Sequence, residues 1–194
     1  MGGLRSAQAF GKALWPGKAA GVAPAPSRAD LEAFKAPIIL VEQAGTDARL
    51  YLVPVSNAGG VEVWSTSDQR TMTFRNGVLA ETRGMGADLM QSATPNLAQL
   101  RAGAGNHVRT YDILDGGDQM VRSRYDCALT VAGVETITVV GRQHATRHVI
   151  ETCRAESHEF TNEYWFESSG KLRKSKELAG PRVGAVTVSR VIDN

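Results

Sequence analysis

The chain has 194 residues, of which 42% are hydrophobic and 22% are charged, and these proportions are typical of a protein that buries a core rather than of a disordered one. Its net charge at pH 7 is only +2 and its basic residues are scattered, which excludes an extended positive surface for a nucleic-acid backbone. No apolar run is long enough to span a bilayer, and the opening segment shows neither a signal-peptide core nor an acylatable cysteine.

The first part of the chain has the composition of a linker. Residues 1–26 are rich in Ala, Gly and Pro and lack sustained periodicity, so we predict a tail or linker there. A short helix is predicted next, because Ser27 is a suitable N-cap and Leu31 and Phe34 share one helical face. Pro37 ends this pattern.

From this point the hydrophobic period is that of strands. Runs rich in Val, Ile, Thr and aromatic residues alternate with Gly, Asn and Asp at intervals of about eight to twelve residues. We predict a single all-β domain over residues 27–194, built as an antiparallel β-barrel or β-sandwich with meander hairpins. The predicted strands are 38–43, 49–55, 61–65, 71–75, 78–82, 107–114, 119–130, 134–142, 145–155, 162–167, 171–177 and 183–191.

The clearest local signal is a hairpin in "TMTFRNGVLAET". Asn76-Gly77 supplies the two positive-φ positions of a type I′ turn, which places Phe74 opposite Leu79. Further turns are predicted at Asp115–Asp118 and Glu167–Gly170, and a helical turn or two within Ser92–Gly105.

Familiar catalytic motifs are not found. "GMG" is not surrounded by a βαβ unit, so it does not predict a dinucleotide loop. His144 and His148 have the spacing of a helical zinc pair, but in the predicted strand four residues span roughly 13 Å. We therefore predict neither a metal nor a cofactor. Acids that the fold could pair in a cleft, as a glycosidase needs, are Asp68, Asp88, Asp112, Asp115 and Glu163.

Two tryptophans and two cysteines leave alternatives open. Trp165 must face away from its two aromatic neighbours on the same strand, so Trp64 and Trp165 are predicted either to fill the core or to offer a sugar-stacking or partner surface. Cys127 and Cys153 lie in separate strand-like segments. Their even number fits one disulfide, and two buried thiols fit equally well.

Two segments resemble a known family. "VWSTSDQRTMTFRNGVLAETRGMGADLMQS" resembles the signature of the YjbF/GfcB family of group 4 capsule and exopolysaccharide lipoproteins, in which a Trp-centred strand leads to an "lR.G.L..TRG.G.DL" segment. "YWFESSGKLRKSKELAGPRVGAVTVSRV" resembles the closing part of the same family. The resemblance extends from about Ile38 to Val191.

The resemblance implies an all-β periplasmic lipoprotein that is encoded with polysaccharide export proteins. It implies attachment to the inner face of the outer membrane through a lipidated cysteine of the full-length precursor. The sequence shows no such cysteine before the predicted domain. Because the periplasm is oxidising, the resemblance also favours a Cys127–Cys153 disulfide.

The segment "TRGMGADL" admits two interpretations. In the first it is a structural turn, in which Arg83 pairs with Asp88 and Leu89 returns to the core. In the second, Arg83 and Asp88 line a binding surface for a sugar or a partner. Trp64 and Trp165 are the other candidate binding residues.

The resemblance leads us to expect an accessory factor for exopolysaccharide or capsule export or assembly, which binds a glycan or other secretion components and is not an enzyme. One alternative is a glycan hydrolase or lyase that uses paired carboxylates. Another is a lipid or small-ligand carrier, which would need a deep apolar barrel interior.

Overall fold

The computed structural model describes residues 25–114, 117, 119–156 and 158–193. The predicted tail is therefore almost entirely outside the described residues, as is most of the turn predicted at Asp115–Asp118. The helices are α1 (Arg28–Glu32) and α2 (Leu97–Ala102). The strands are β1 (Ile38–Gln43), β2 (Arg49–Ala58), β3 (Val61–Ser65), β4 (Thr71–Arg75), β5 (Val78–Arg83), β6 (Leu89–Ser92), β7 (Gly105–Leu114), β8 (Met120–Val139), β9 (Arg142–Arg154), β10 (Glu159–Phe166), β11 (Leu172–Gly180) and β12 (Gly184–Ile192).

All twelve strands form one antiparallel sheet. Its order is β5-β4-β3-β2-β1-β12-β11-β10-β9-β8-β7-β6, so most neighbours in space are also neighbours in sequence. The sheet curves until its two edge strands, β5 and β6, lie side by side, which gives a nearly closed barrel. The predicted all-β meander fold is confirmed, and of its two forms the barrel is the one observed. We call the junction of β5 and β6 the seam.

The local sequence explains why helix α1 forms. Ser27 caps α1, because its side chain accepts from the Asp30 amide at 3.3 Å while the Asp30 carboxylate accepts from the Ser27 amide at 2.9 Å. Leu31 is fully buried and Phe34 packs against the same cluster on the outer wall of the barrel. The predicted short helix is therefore confirmed.

The predicted β4–β5 hairpin is also confirmed. Asn76 and Gly77 have φ values of 52° and 85°, as a type I′ turn requires. Phe74 pairs with Leu79 across the hairpin, and both side chains are buried.

Two strand predictions were wrong. The short strand β6 was not predicted, because "LMQS" carries only four residues of weak alternation. The strands predicted at 119–130 and 134–142 are one strand, β8, which bends at a register shift beside Gly133 without ending. The chain reverses instead at Val140 and Gly141, both with positive φ.

Successive side chains of a strand point to opposite faces of the barrel wall, so buried apolar side chains are found on both the inner and the outer face. Ile39 and Val41 of β1 belong to the interior cluster, together with Trp64, Met72 and Phe74. Their neighbours on β1 face outward and are covered by α1 and by the end of the β8–β9 hairpin. A third cluster packs Leu100 of α2 against side chains of β8 to β11. Within the described ranges, neither helix has the length or apolar character needed to cross a bilayer.

Candidate functional site

The segment "TRGMGADL" forms the turn that joins the two edges of the barrel. Gly84 and Gly86 have φ values of 78° and 102°, a region that side chains disfavour. The Asp88 carboxylate holds the turn by accepting hydrogen bonds from the Gly84 amide at 2.7 Å and the Met85 amide at 2.9 Å. It also accepts from the Thr82 hydroxyl at 3.1 Å. This segment is therefore shaped by its own hydrogen bonds.

Arg83, the last residue of β5, connects the two strands of the seam. Its guanidinium donates to the carbonyls of Thr82, Leu89 and Met90 at 2.6, 3.0 and 3.5 Å. The last two carbonyls belong to β6, so the side chain joins the two edges where a regular backbone ladder is lacking. The first interpretation paired Arg83 with Asp88, but the hydrogen bonds of these two side chains differ from that expectation. Arg83 donates to backbone carbonyls, and Asp88 accepts from backbone amides. A binding role for either residue stays a prediction.

Inside the barrel, polar side chains form a buried network around Glu151 on β9. The Glu151 carboxylate lies 2.6 Å from His107 Nε2 and accepts from Arg109 at 2.9 Å. It also accepts from Asn162 at 2.6 Å and from the Tyr164 hydroxyl at 2.9 Å. Burial alone would raise the pKa of Glu151, but the charge of Arg109 and the hydrogen bonds from His107 and Asn162 outweigh it and lower the pKa to about 2.

A second buried acid, Glu177 on β11, lies beside this network. Its carboxylate accepts from the Leu79 amide of β5 at 3.2 Å and lies 3.4 Å from the Tyr164 hydroxyl. Burial raises the pKa of Glu177 to about 7, against the opposing effects of Arg109, Ser175 and the Leu79 amide. Glu151 and Glu177 are both 0% exposed, so these two acids, which share the Tyr164 hydroxyl, are shielded from solvent.

The sulfur of Cys127 lies near this network, but it cannot complete a metal site there. His107, Cys127 and Glu151 offer ligand atoms within 4.8 Å of one another. Cys127 is bonded to Cys153, with a Cα–Cα distance of 4.1 Å, and a disulfide sulfur cannot act as a thiolate ligand. The structure thus contains the disulfide that the family resemblance favoured, between directly paired residues of β8 and β9.

Trp165 lies on the outer wall of the barrel, where it is 7% exposed. Its ring stacks on His148 with the centroids 4.5 Å apart, and its Nε1 donates to Glu135 at 2.6 Å. Lys174 Nζ lies 4.9 Å from the ring centre. A sugar would have to displace these neighbours, so the packing favours the structural alternative for Trp165.

Trp64 belongs to the interior cluster rather than to the outer one that contains Trp165, and it lines an open cleft. The cleft lies beside the first residues of β1, which begins at Ile38, after Pro37, whereas β2 continues past that level to Ala58. Pro37 has no amide hydrogen and cannot extend the ladder. The cleft, lined from β2, β3 and β12 and by Pro37, Lys171 and Asp193, has a volume of about 380 Å³, which is within the usual range for small-molecule sites. We call it the β1 cleft.

The β1 cleft has both apolar and polar lining. Its apolar lining consists of Pro37, Pro54, Val55 and Ile192, with the nearly buried Trp64. Its polar lining consists of Ser56, Asn57, Glu62, Lys171, Arg190 and Asp193.

Hydrogen bonds fix the polar side of the β1 cleft. Glu62 Oε2 accepts from Trp64 Nε1 at 2.9 Å and from Arg190 at 2.8 Å. Asp193 pairs with Lys171 and accepts two hydrogen bonds from Arg173 at 2.8 and 3.2 Å. Burial alone would raise the pKa of Asp193, but the hydrogen bonds from Arg173 and Lys171 outweigh it and hold the pKa below its ordinary value.

The acids proposed from the sequence do not meet in a cleft where the structure describes them. Asp68 closes a turn with Arg70, Asp112 accepts two hydrogen bonds from Arg122, and Glu163 pairs with Lys176. Asp115 lies outside the described residues. The acids of the β1 cleft were missed because Glu62 and Asp193 lie in distant segments of the sequence, and their cationic partners Arg190, Lys171 and Arg173 are brought to them only by the fold.

Comparison with known proteins confirms the family resemblance. Residues 8–191 match the family described as "Group 4 capsule polysaccharide lipoprotein gfcB, YjbF". The "Uncharacterized lipoprotein YjbF" of Escherichia coli (strain K12) is 28% identical over 143 residues, which cover 68% of this chain and 64% of that protein. The chain thus spans slightly less than two thirds of the length of this curated relative.

A solved structure shows the same fold. The crystal structure of the hypothetical lipoprotein YmcC from Escherichia coli (K12) matches with a TM-score of 0.76 and 16% identity, over 87% of this chain and 89% of that one. At this identity the likeness shows the fold alone. The family match, which extends over almost the whole chain, shows that this protein belongs to the YjbF/GfcB family of group 4 capsule polysaccharide lipoproteins.

Proposed function

We propose that the protein is a non-enzymatic accessory factor for exopolysaccharide or capsule export or assembly, and that it acts by binding glycan in the β1 cleft. The observation that carries this proposal is the cleft itself, an open site of about 380 Å³ whose lining combines apolar and hydrogen-bonding side chains. The family's description as capsule polysaccharide lipoproteins supports the choice of glycan as ligand.

The lining suits a sugar ring. A pyranose has apolar C–H faces and hydroxyl groups at its edge, so it is bound well where apolar surface and fixed polar groups converge. Val55 and Ile192 supply apolar surface, and Asn57 supplies both donors and an acceptor. Arg190 is held in place by its bond to Glu62, so little side-chain entropy would be lost when a ligand binds it.

The proposed place of action is supported by the names of the relatives. Because the family and both relatives are named as lipoproteins, we propose that the full-length precursor is lipidated and anchored to the outer membrane, with the barrel in the periplasm. Its partners would be envelope polysaccharide and the proteins that export or assemble it.

An enzyme that uses paired carboxylates is the main rival. The split between the low pKa of Glu151 and the raised pKa of Glu177 is what an acid–base pair needs. Both groups, however, are fully buried among their own hydrogen-bond partners. In the β1 cleft, the low pKa of Asp193 opposes a role as general acid at neutral pH. The geometry therefore favours binding over hydrolysis.

A carrier for a lipid or small molecule would require a large apolar interior. The interior of this barrel contains the side chains of its main core cluster and of the polar network around Glu151. A cavity of about 100 Å³ lies at the end near Met85, and a gap of about 10 Å³ lies beside Leu172. Both are below the usual size of a ligand site, so the carrier is not favoured.

The proposal is tested by blocking the β1 cleft in the full-length lipidated protein. Val55→Glu adds a bulky charge within the cleft, and Val108→Glu on β7 is the matched control because the two valines are 45% and 43% exposed. In cells that lack the native protein, we expect Val55→Glu to reduce surface polysaccharide and the binding of purified polysaccharide, while Val108→Glu preserves both. Normal secretion and binding with a folded Val55→Glu protein would refute the proposal.

A further inference from the structure

We infer that the β1 cleft selects an electrically neutral sugar unit over an acidic one. This inference rests on the proposed function, since it names the ligand class of the same site. Its basis is the charge pairing of the cleft lining, in which each cation already has a carboxylate partner.

The pairing is complete for the two cations that line the cleft. Arg190 donates to Glu62 at 2.8 Å, and Lys171 forms an ion pair with Asp193. Two cations are thus balanced by two carboxylates. Arg173, behind the lining, donates two hydrogen bonds to Asp193 and is balanced by a third carboxylate, that of Glu167, at 2.9 Å.

A sugar carboxylate entering this cleft would meet two opposing effects. Its attraction to Arg190 or Lys171 would be offset by repulsion from Glu62 or Asp193, which lie against those same cations. It would also lose its hydration shell, a cost that only a free cation repays. An acidic sugar therefore gains little from the site.

A neutral sugar avoids both costs. Its hydroxyl groups both donate and accept, so they can bond to carboxylates and cations without breaking the existing pairs. The exposed side chains of Ser56 and Asn57 add neutral hydrogen-bonding groups beside the apolar surface of Val55. The lining thus complements a polar, uncharged ring.

The experiment compares a neutral hexose tetrasaccharide with a uronic acid tetrasaccharide of the same length, by calorimetry with the full chain. We expect the unaltered protein to bind the neutral probe more tightly, and Val55→Glu to abolish this binding while Val108→Glu does not. Asp193→Asn releases Lys171, whereas Arg173 keeps its pair with Glu167, and this change should raise the affinity for the acidic probe about tenfold, the scale of one hydrogen bond to a charged group.

If Asp193→Asn impairs folding, Glu62→Gln is the alternative variant. It removes the carboxylate that pairs with Arg190 and should likewise raise the affinity for the acidic probe. Asp126→Asn is the control, because Asp126 forms an exposed surface pair with Arg124 away from the cleft lining. Equal or tighter binding of the acidic probe by the unaltered protein would overturn this inference and leave the proposed function standing. Binding of neither probe would overturn both.

Discussion

The buried carboxyl group of Glu177 makes stability depend on pH in a direction opposite to that of most acids. In the folded protein its pKa is about 7, against an ordinary value of 4.5. Between these values the folded state keeps a proton that the unfolded state releases, so stability is full below pH 4.5 and declines as the pH rises to 7. At about 1.4 kcal/mol per pH unit, the decline is about 3 kcal/mol.

Glu177→Gln should remove this decline, because the amide cannot ionise and its oxygen still accepts from the Leu79 amide. The assay is urea unfolding of both proteins, with the disulfide intact, at intervals from pH 5 to pH 8. Every other titratable group is common to both proteins, so the difference in unfolding free energy isolates residue 177. Glu159→Gln, at an exposed pair with Arg154, is the control and should leave the curve unchanged. A difference that stays constant across this pH range would refute the reasoning.

Two further predictions concern closure and crosslinking of the barrel. Arg83→Ala removes three hydrogen bonds to carbonyls on both sides of the seam and should lower the unfolding free energy by about 1 kcal/mol. The exposed Arg124→Ala should leave the urea midpoint within error, and equal midpoints for both variants would contradict the role given to Arg83. Reduction of the Cys127–Cys153 disulfide, which closes a loop with a sequence separation of 26 residues, should cost about 3 kcal/mol. The Cys127→Ser, Cys153→Ser double variant should show the same loss without reductant, and an unchanged stability would contradict it.

The sequence predicts the strands well where alternation and turn residues agree. "TMTFRNGVLAET" combines period-two apolar residues with Asn76-Gly77, and both the turn and the pairing of Phe74 with Leu79 are found. In β8 these signals disagree. Gly133 suggests a break, but the ladder to β9 continues on both sides of it, so long-range pairing overrides the local signal.

The polar interior was not predictable, because alternation shows which residues share a face and not which face is inside. In β11, Lys174 and Lys176 face outward, while the alternating residues Ser175 and Glu177 are buried. An inward polar face on a strand gives the same pattern as an outward one. Only closure of the barrel, which brings β5 and β6 together, decides which polar face is enclosed.

Closure also explains why the most distinctive sequence segment is not the best candidate site. The two edge strands of the barrel must satisfy their polar groups or pair with other chains. At one end, Arg83 and Asp88 meet this need through the seam turn. Deeper in the barrel, a series of hydrogen bonds crosses the interior from β5 to β6. It passes through Leu79, Glu177, Tyr164, Glu151, Arg109 and Ser92.

The polar groups of "TRGMGADL" and of the interior network are therefore already engaged in holding the sheet edges together. A ligand that bound to them would have to compete with closure of the barrel. The β1 cleft imposes no such competition, because its lining within the described residues belongs to β2, β3 and β12 with Pro37, Lys171 and Asp193, and includes no residue of the two seam strands. Binding there leaves the barrel intact, and for this reason the functional proposal rests on the cleft rather than on the family's signature turn.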